Sequence, residues 1–200
     1  MDHAGAQQAR VDKAFTDDPL SFVVKPGEIL AVRGGKGSGK TTLVNVVLGR
    51  WPVKKGYVTI DGEQVTVGSA PYFRRGIGYV PQDIDFPLQT VGDLVSAMIE
   101  ISAARGKACV KQNVVNEMAA LNIGEGFLDT SMADANKVVL KLTMVAMCAA
   151  LGGGLLVVDE PVEERDERVS KALRMMADRG WAVVVTEKGD FLDYDRVVDL

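Results

Sequence analysis

The nine residues GGKGSGKTT at positions 34–42 concentrate more chemistry than any other stretch of the chain. Gly34, Gly39, Lys40 and Thr41 fit the pattern G-x-x-x-x-G-K-[ST], which folds backbone N–H groups around a chain of phosphates. The run follows an apolar segment at 29–32 and opens a helix-prone apolar stretch at 43–48, the strand-loop-helix setting such a loop requires. A helix N-terminus carries partial positive charge and unpaired N–H groups, so it favours an anion placed there. Gly34, Gly35, Lys36, Gly37, Ser38, Gly39, Lys40, Thr41 and Thr42 are therefore expected to cradle β- and γ-phosphates. Lys40 is expected on the β/γ oxygens and the Thr41 hydroxyl on Mg²⁺. The ligand class this implies is a nucleoside triphosphate with its magnesium ion.

A second constellation lies roughly 120 residues further on, where LLVVDEP places Asp159 and Glu160 at the end of an apolar run. Alone, an acidic pair after a strand reads as a solvated turn. Beside a phosphate loop it reads as the place where Mg²⁺ is held and water is activated. An aspartate there can hold the metal, and the neighbouring glutamate can polarise a water for in-line attack on the γ-phosphate.

The elements that must position these groups alternate between strand and helix. Residues 20–33 read as two short strands around the turn Lys25-Pro26-Gly27, the second feeding the loop. Residues 58–60 lead into Asp61-Gly62, a hairpin signal, with 65–67 as the return strand. A strand at 77–80 stops at Pro81-Gln82, and Thr90 with Asp93 forms a capping box for a helix to about 104. Helical patterns fill 109–122 and 135–150, 155–158 is a buried strand, 164–178 an amphipathic helix and 181–185 another buried strand. The expected fold is α/β with a mostly parallel sheet, an antiparallel β portion and an inserted helical subdomain at about 88–150. Residues 1–10 are expected to form a mobile tail.

With these motifs in place, the chain resembles the nucleotide-binding domain of ATP-binding cassette (ABC) proteins from about residue 11 to 200. KPGEILAV running into GGKGSGKTTL is similar to that family's Walker A segment, and GYVTIDGEQV to the hairpin after its first helix. GIGYVPQD resembles the segment carrying the Q-loop glutamine, here Gln82. LLVVDEP resembles Walker B with its catalytic glutamate, and DEPVEERD puts Asp166 at the D-loop aspartate. Phe15, within VDKAF, is similar to the aromatic that stacks on adenine. The resemblance implies ATP and Mg²⁺ as cofactors, with Thr41, Gln82 and Asp159 organising the metal and Lys40, Gln82 and Glu160 serving hydrolysis. It also implies a head-to-tail dimer, with a second copy or another ABC subunit, acting on a transmembrane permease.

Two positions depart from the family pattern. The signature LSGGQ falls in the window 129–137, which here reads DTSMADANK; Ser131 can stand in for its serine, but the two glycines are absent. Glu187 stands where the family has its switch histidine, and the one histidine of the chain is His3. A carboxylate about 4 Å from a γ-phosphate is repelled by about 4 kcal/mol at an effective dielectric of about 20, unless Mg²⁺ or Lys188 compensates. Glu187 is thus either an altered switch or a side chain turned to solvent.

Composition limits the remaining classes. Two hundred residues at 47% apolar content can bury one proper core. A net charge of −4 gives no basic field for nucleic acid, and no nucleic-acid partner is expected. Cys109 and Cys148 lack metal-ligand spacing and read as free thiols of a reducing compartment, and Met144 and Met147 as core. Trp51 and Trp181 read as packing residues, and Arg74 and Arg75 as a surface pair. The uncharged stretch 142–158 is interrupted at Gly152-Gly153-Gly154 and falls short of a membrane span, so the expectation is a cytoplasmic chain, peripheral to the membrane through its permease. The reading from a different class is an ATP-gated interaction module with little turnover. A phosphotransferase is a third, disfavoured by the lack of an arginine-rich lid.

Overall fold

A computed structural model describes residues 9–13 (backbone only), 20–53, 55–104 and 106–200. Its centre is a five-stranded parallel sheet in the order β6-β7-β8-β3-β9: β3 Ile29–Arg33, β6 Ile77–Val80, β7 Leu155–Val158, β8 Ala182–Glu187 and β9 Arg196–Asp199. β7 and β8 are buried along their whole length, as strands covered on both faces must be.

The two-residue period of the strands sorts their side chains into two cores. Ile29, Ala31, Leu156, Val158, Val183 and Val185 pack with a helical layer. That layer comprises α3 Val91–Ala104, α4 Lys111–Ala120, α5 Lys137–Leu151 and α6 Glu167–Asp178, with a short 3₁₀ turn at Glu125–Asp129. Their neighbours Leu30, Val32, Leu155, Val157, Ala182 and Val184 face the opposite way. There they meet α1, Lys40–Val47, and an antiparallel sheet in the order β2-β1-β4-β5, comprising β2 Leu20–Val24, β1 Ala9–Lys13, β4 Val58–Ile60 and β5 Glu63–Gln64. The mixed α/β architecture matches expectation.

Several boundaries differ, each for a local reason. Asp61 and Gly62 both take positive φ (54° and 80°), closing a two-residue turn that pairs Ile60 directly with Glu63. The return strand is therefore 63–64, and 65–67 lies beyond it. Helix α6 begins at Glu167, because Asp166 caps it by accepting from Arg168 N. Residues 9 and 10, expected in a mobile tail, belong to β1 and pair with both β2 and β4. Among elements absent from the expectation are β9, β1 and the four-residue helix α2, Ala70–Phe73. Trp181 is buried, whereas Trp51 is half-exposed and does not pack as expected. Cys109 and Cys148 are buried free thiols; burial pushes Cys148 up to about 12, which keeps it unreactive. Met144 and Met147 lie in the core.

Candidate functional site

β3, β7 and β8 run in one direction, so their C-terminal ends open at one edge of the sheet, where ligands of such folds bind. β3 delivers the loop 34–39, which turns into α1 at Gly39, a residue in the left-handed region at φ 99°. A Cβ on Gly34 would collide with the Ser38 hydroxyl, so the loop closes this tightly only with glycine there. Ser38 Oγ is itself buried with no hydrogen-bond partner among the described residues, an orphan polar atom inside the cradle. Lys40, 4% exposed, folds back over the loop and donates to Gly34 O (2.5 Å) and Gly35 O (2.9 Å). Its Nζ also lies 3.0 Å from Glu160 Oε1.

β7 delivers Asp159 and Glu160. The chain leaves this strand with Glu160 at φ 41°, a conformation that costs a non-glycine residue about 1–3 kcal/mol. Two contacts hold it there. Thr186 Oγ1 accepts from Glu160 N (2.9 Å), and Lys141 Nζ on α5 donates to Glu160 O (2.7 Å). The same Thr186 hydroxyl donates to Asp159 Oδ1 (2.6 Å), so one side chain fixes both acidic residues. Burial raises the Asp159 pKa, against hydrogen bonds from Thr186 and Thr41. For Glu160, burial is likewise the largest influence, but Lys188 and Lys40 outweigh it and hold the carboxyl below its ordinary value. Lys188 Nζ sits 2.8 Å from Glu160 Oε2.

Magnesium can be tested against this donor set. Asp159 and Thr41 are close neighbours, and both offer oxygen. A buried carboxylate whose charge burial disfavours is relieved by a cation. One or two oxygen side chains beside phosphates is the usual way this ion is held. The residues fit it. Gln82 is half-buried just past β6, the strand paired with β7 in the register Val80↔Val158, which places it at the same sheet edge as Asp159.

Glu187 does not face this site. Thr186 and Glu187 are successive strand residues and point to opposite faces. Thr186 turns to Asp159, and Glu187 turns into the other core, where it is 0% exposed and accepts from Phe191 N (3.0 Å) through Oε2. Its Oε1 has no partner among the described residues, and burial raises its pKa. The alternative of a side chain turned to solvent is therefore overturned. Phe15 lies outside the described residues. Asp166 acts as the cap of α6 and pairs with Arg168 (2.6 Å). In the window 129–137, Ser131 Oγ is held by Asp134 (3.0 Å), while the residue at the mouth of α5 is Asn136, which accepts from Val138 N and Val139 N. Sequence reasoning missed Thr186 and Lys141 as site residues and named Lys188 only as a cation compensating Glu187, whereas it pairs with Glu160. Thr186 alone carried a local signal, a polar residue near the end of a buried strand and one position out of phase with Glu187.

A groove of about 740 Å³ lies between β6 and helices α3 and α5, lined among others by Arg74, Asp83, Phe86, Ile101, Ser102 and Met147. Arg74 and Arg75 both line it, and Arg74 donates to Leu48 O (3.3 Å). Pro81 and Asp83, the neighbours of Gln82, form part of its wall.

A glycine loop and a buried acidic pair at the open edge of a parallel sheet, flanked by an antiparallel sheet and a helical layer, define a phosphate-loop nucleotide-binding domain. The profile described as "ABC transporter" matches residues 18–163, and the chain belongs to that family. It is 29% identical over 175 residues to the type I secretion system ATP-binding protein PrsD of Rhizobium meliloti, covering 83% of this chain and 30% of that one. It is 34% identical over 160 residues to the sulfate/thiosulfate import ATP-binding protein CysA of Mycolicibacterium paratuberculosis, covering 78% and 42%. The chain thus spans less than half the length of these curated relatives. A solved structure from Pyrococcus furiosus, a putative ABC transporter ATP-binding protein, superposes with a TM-score of 0.77 at 17% identity, covering 97% of each chain. No helix among the described residues is long and apolar enough to cross a membrane.

Proposed function

We propose that this chain is the ATP-binding subunit of an ABC transporter, binding and slowly hydrolysing ATP so that a head-to-tail dimer closes and works on a membrane permease from the cytoplasmic side. The observation that carries this reading is the convergence of Lys40, Asp159 and Glu160 on one pocket edge, with Lys40 Nζ 3.0 Å from Glu160 Oε1. Residues 34–42 bind the phosphates and Phe15 stacks adenine. Magnesium, held by Thr41 and Asp159 with Gln82 beside them, supplies charge neutralisation to the phosphates when bound. Glu160 orients the attacking water. The groove beside Gln82 receives the permease, so that an occupant touching Pro81 and Asp83 bears on the glutamine between them. The second subunit is either another copy of this chain or a different ABC subunit.

Slow turnover is part of the reading. A general base works best with a pKa near the operating pH, and Glu160 is held low by two ammonium groups. The signature window also offers Met132 and Ala133 after Ser131, where the family resemblance calls for glycines. Those two observations equally favour an ATP-gated module with negligible hydrolysis, and steady-state kinetics separates the readings. Glu160→Gln is expected to cut ATP turnover by about a hundredfold or more while ATP affinity stays within a few-fold. Parent turnover that is absent with every candidate partner leaves the gated module. A variant as fast as its parent removes Glu160 from the chemistry.

A further inference from the structure

The backbone ladder of the central sheet ends one residue short of Glu160. Asp159 N still donates to Val80 O of β6 (2.9 Å), but among the described residues neither peptide group of Glu160 meets another backbone group. Its N–H goes to Thr186 Oγ1 (2.9 Å), and its C=O accepts from Lys141 Nζ (2.7 Å). Pro161 follows and has no N–H with which to extend a ladder. Glu160 stands at φ 41°, a region that a residue with a side chain keeps only when its surroundings hold it there. Rotation about N–Cα carries the carbonyl and Cβ together. With the N–H pinned by Thr186, a hold on the carbonyl is therefore a hold on the direction of the side chain. That direction brings Oε1 to 3.0 Å from Lys40 Nζ of the phosphate loop.

Lys141 is a stiff anchor. Its neighbours on α5, Leu140, Leu142 and Thr143, are buried, so its stem moves only with the helix. Its ammonium group is half-buried in the field of Asp83, Asp159, Glu160 and Glu163, yet it forms no ion pair among the described residues, and burial lowers its pKa. A charge withdrawn from water without a paired opposite charge lowers stability. Packing thus gives no reason for a lysine at this position, whereas the bond to Glu160 O does.

We propose that Lys141 is a positioning residue for ATP hydrolysis: it ties the turn at Glu160 to α5 and so keeps the carboxylate against the phosphate loop. This rests on the reading of the pocket as an ATP-hydrolysing site. Without the anchor the turn relaxes and the carboxylate swings away. A displacement of about 1 Å can slow chemistry about a hundredfold. Nucleotide binding depends on residues 34–42 and is untouched, so the signature is a fall in kcat at constant KM.

The test uses the full chain and two variants: Lys141→Met, which keeps length and an apolar stem, and Lys141→Arg, which keeps a cationic donor. In steady-state hydrolysis of ATP with Mg²⁺, Lys141→Met is expected to lower kcat about tenfold or more. KM and affinity for the β,γ-imido analogue of ATP stay within about twofold, and Lys141→Arg keeps most of the rate. In urea, Lys141→Met is expected to be at least as stable as the parent, which a packing role would not allow. Hydrogen exchange followed by NMR reads the turn without turnover. The Glu160 amide is expected to exchange about tenfold or more faster in Lys141→Met, while the amides of residues 156–158 in β7 stay within about twofold. The inference is overturned by an unchanged kcat, by a raised KM in place of a lowered kcat, or by an arginine variant as slow as the methionine one. An unchanged Glu160 amide overturns it too, as does a destabilised Lys141→Met chain in which β7 exchanges as fast as Glu160. A parent that does not hydrolyse ATP overturns the hydrolysis reading instead, and Lys141 is then judged by the exchange of the Glu160 amide alone.

Discussion

Glu187 is a carboxyl group enclosed by protein, with one oxygen accepting from Phe191 N and the other without a partner among the described residues. Burial penalises its charged form, so its pKa is raised above the ordinary glutamate value of about 4.3. Below that ordinary value both folded and unfolded states hold the proton, and the group costs nothing. As pH rises, the unfolded chain releases the proton first, and stability falls until the folded-state pKa is passed. Glu187→Gln keeps the shape and an acceptor for Phe191 N but cannot ionise. The variant is expected to match the parent in urea unfolding near pH 4 and to become progressively more stable than it toward pH 7. A stability difference that does not grow with pH would show that the carboxylate is satisfied as an anion. Asp159 shares the upward shift, so parent minus variant, rather than the absolute curve, isolates Glu187.

At the scale of the element, α5 links the acidic pair to the helical layer, since Lys141 reaches back to the Glu160 carbonyl. Its first turn leaves N–H groups that no intrahelical carbonyl can meet. Asn136 satisfies two of them, from Val138 and Val139, at 3.1 Å each. Asn136→Ala is expected to cost about 1 kcal/mol in urea unfolding, and Ser131→Ala less than about 0.5 kcal/mol, because the Ser131 hydroxyl serves only the local Asp134 turn. Equal effects would put the cap elsewhere. Elements of this kind were legible where period and punctuation agreed. β6 and β7 have the bounds their apolar runs predict, and the Thr90–Asp93 capping box is present in both directions (2.9 and 3.1 Å). Illegible elements lacked one of the two signals. β9 is an edge strand with mostly exposed side chains, α2 has only four residues, and the hairpin return shifted because its turn chemistry sets register more strictly than apolar residues do.

Across the whole molecule, the two halves of the site that are contiguous in sequence were readable, since 34–42 and 159–160 each carry their own spacing. Thr186, Lys141 and Lys188 reach the same point from β8, α5 and the end of β8, and only the strand order β7-β8-β3 brings them there. The groove has the same origin, because β6, α3 and α5 meet only in three dimensions. Its wall contains Phe86 and Ile101, exposed at 40% and 45%, beside the segment that holds Gln82. If the permease docks there, a charge at the apolar wall should break the interface without touching the nucleotide site. Ile101→Glu lies on the exposed side of α3, so urea stability is expected to shift by less than about 0.5 kcal/mol and ATP affinity to stay unchanged. Co-sedimentation with membranes of the source organism is expected to fall about tenfold, the effect typical of a buried interface anchor. Recovery equal to the parent's would move the permease interface to another face, whereas a parallel drop in ATP binding would mean that the groove and the pocket share one packing unit through Gln82.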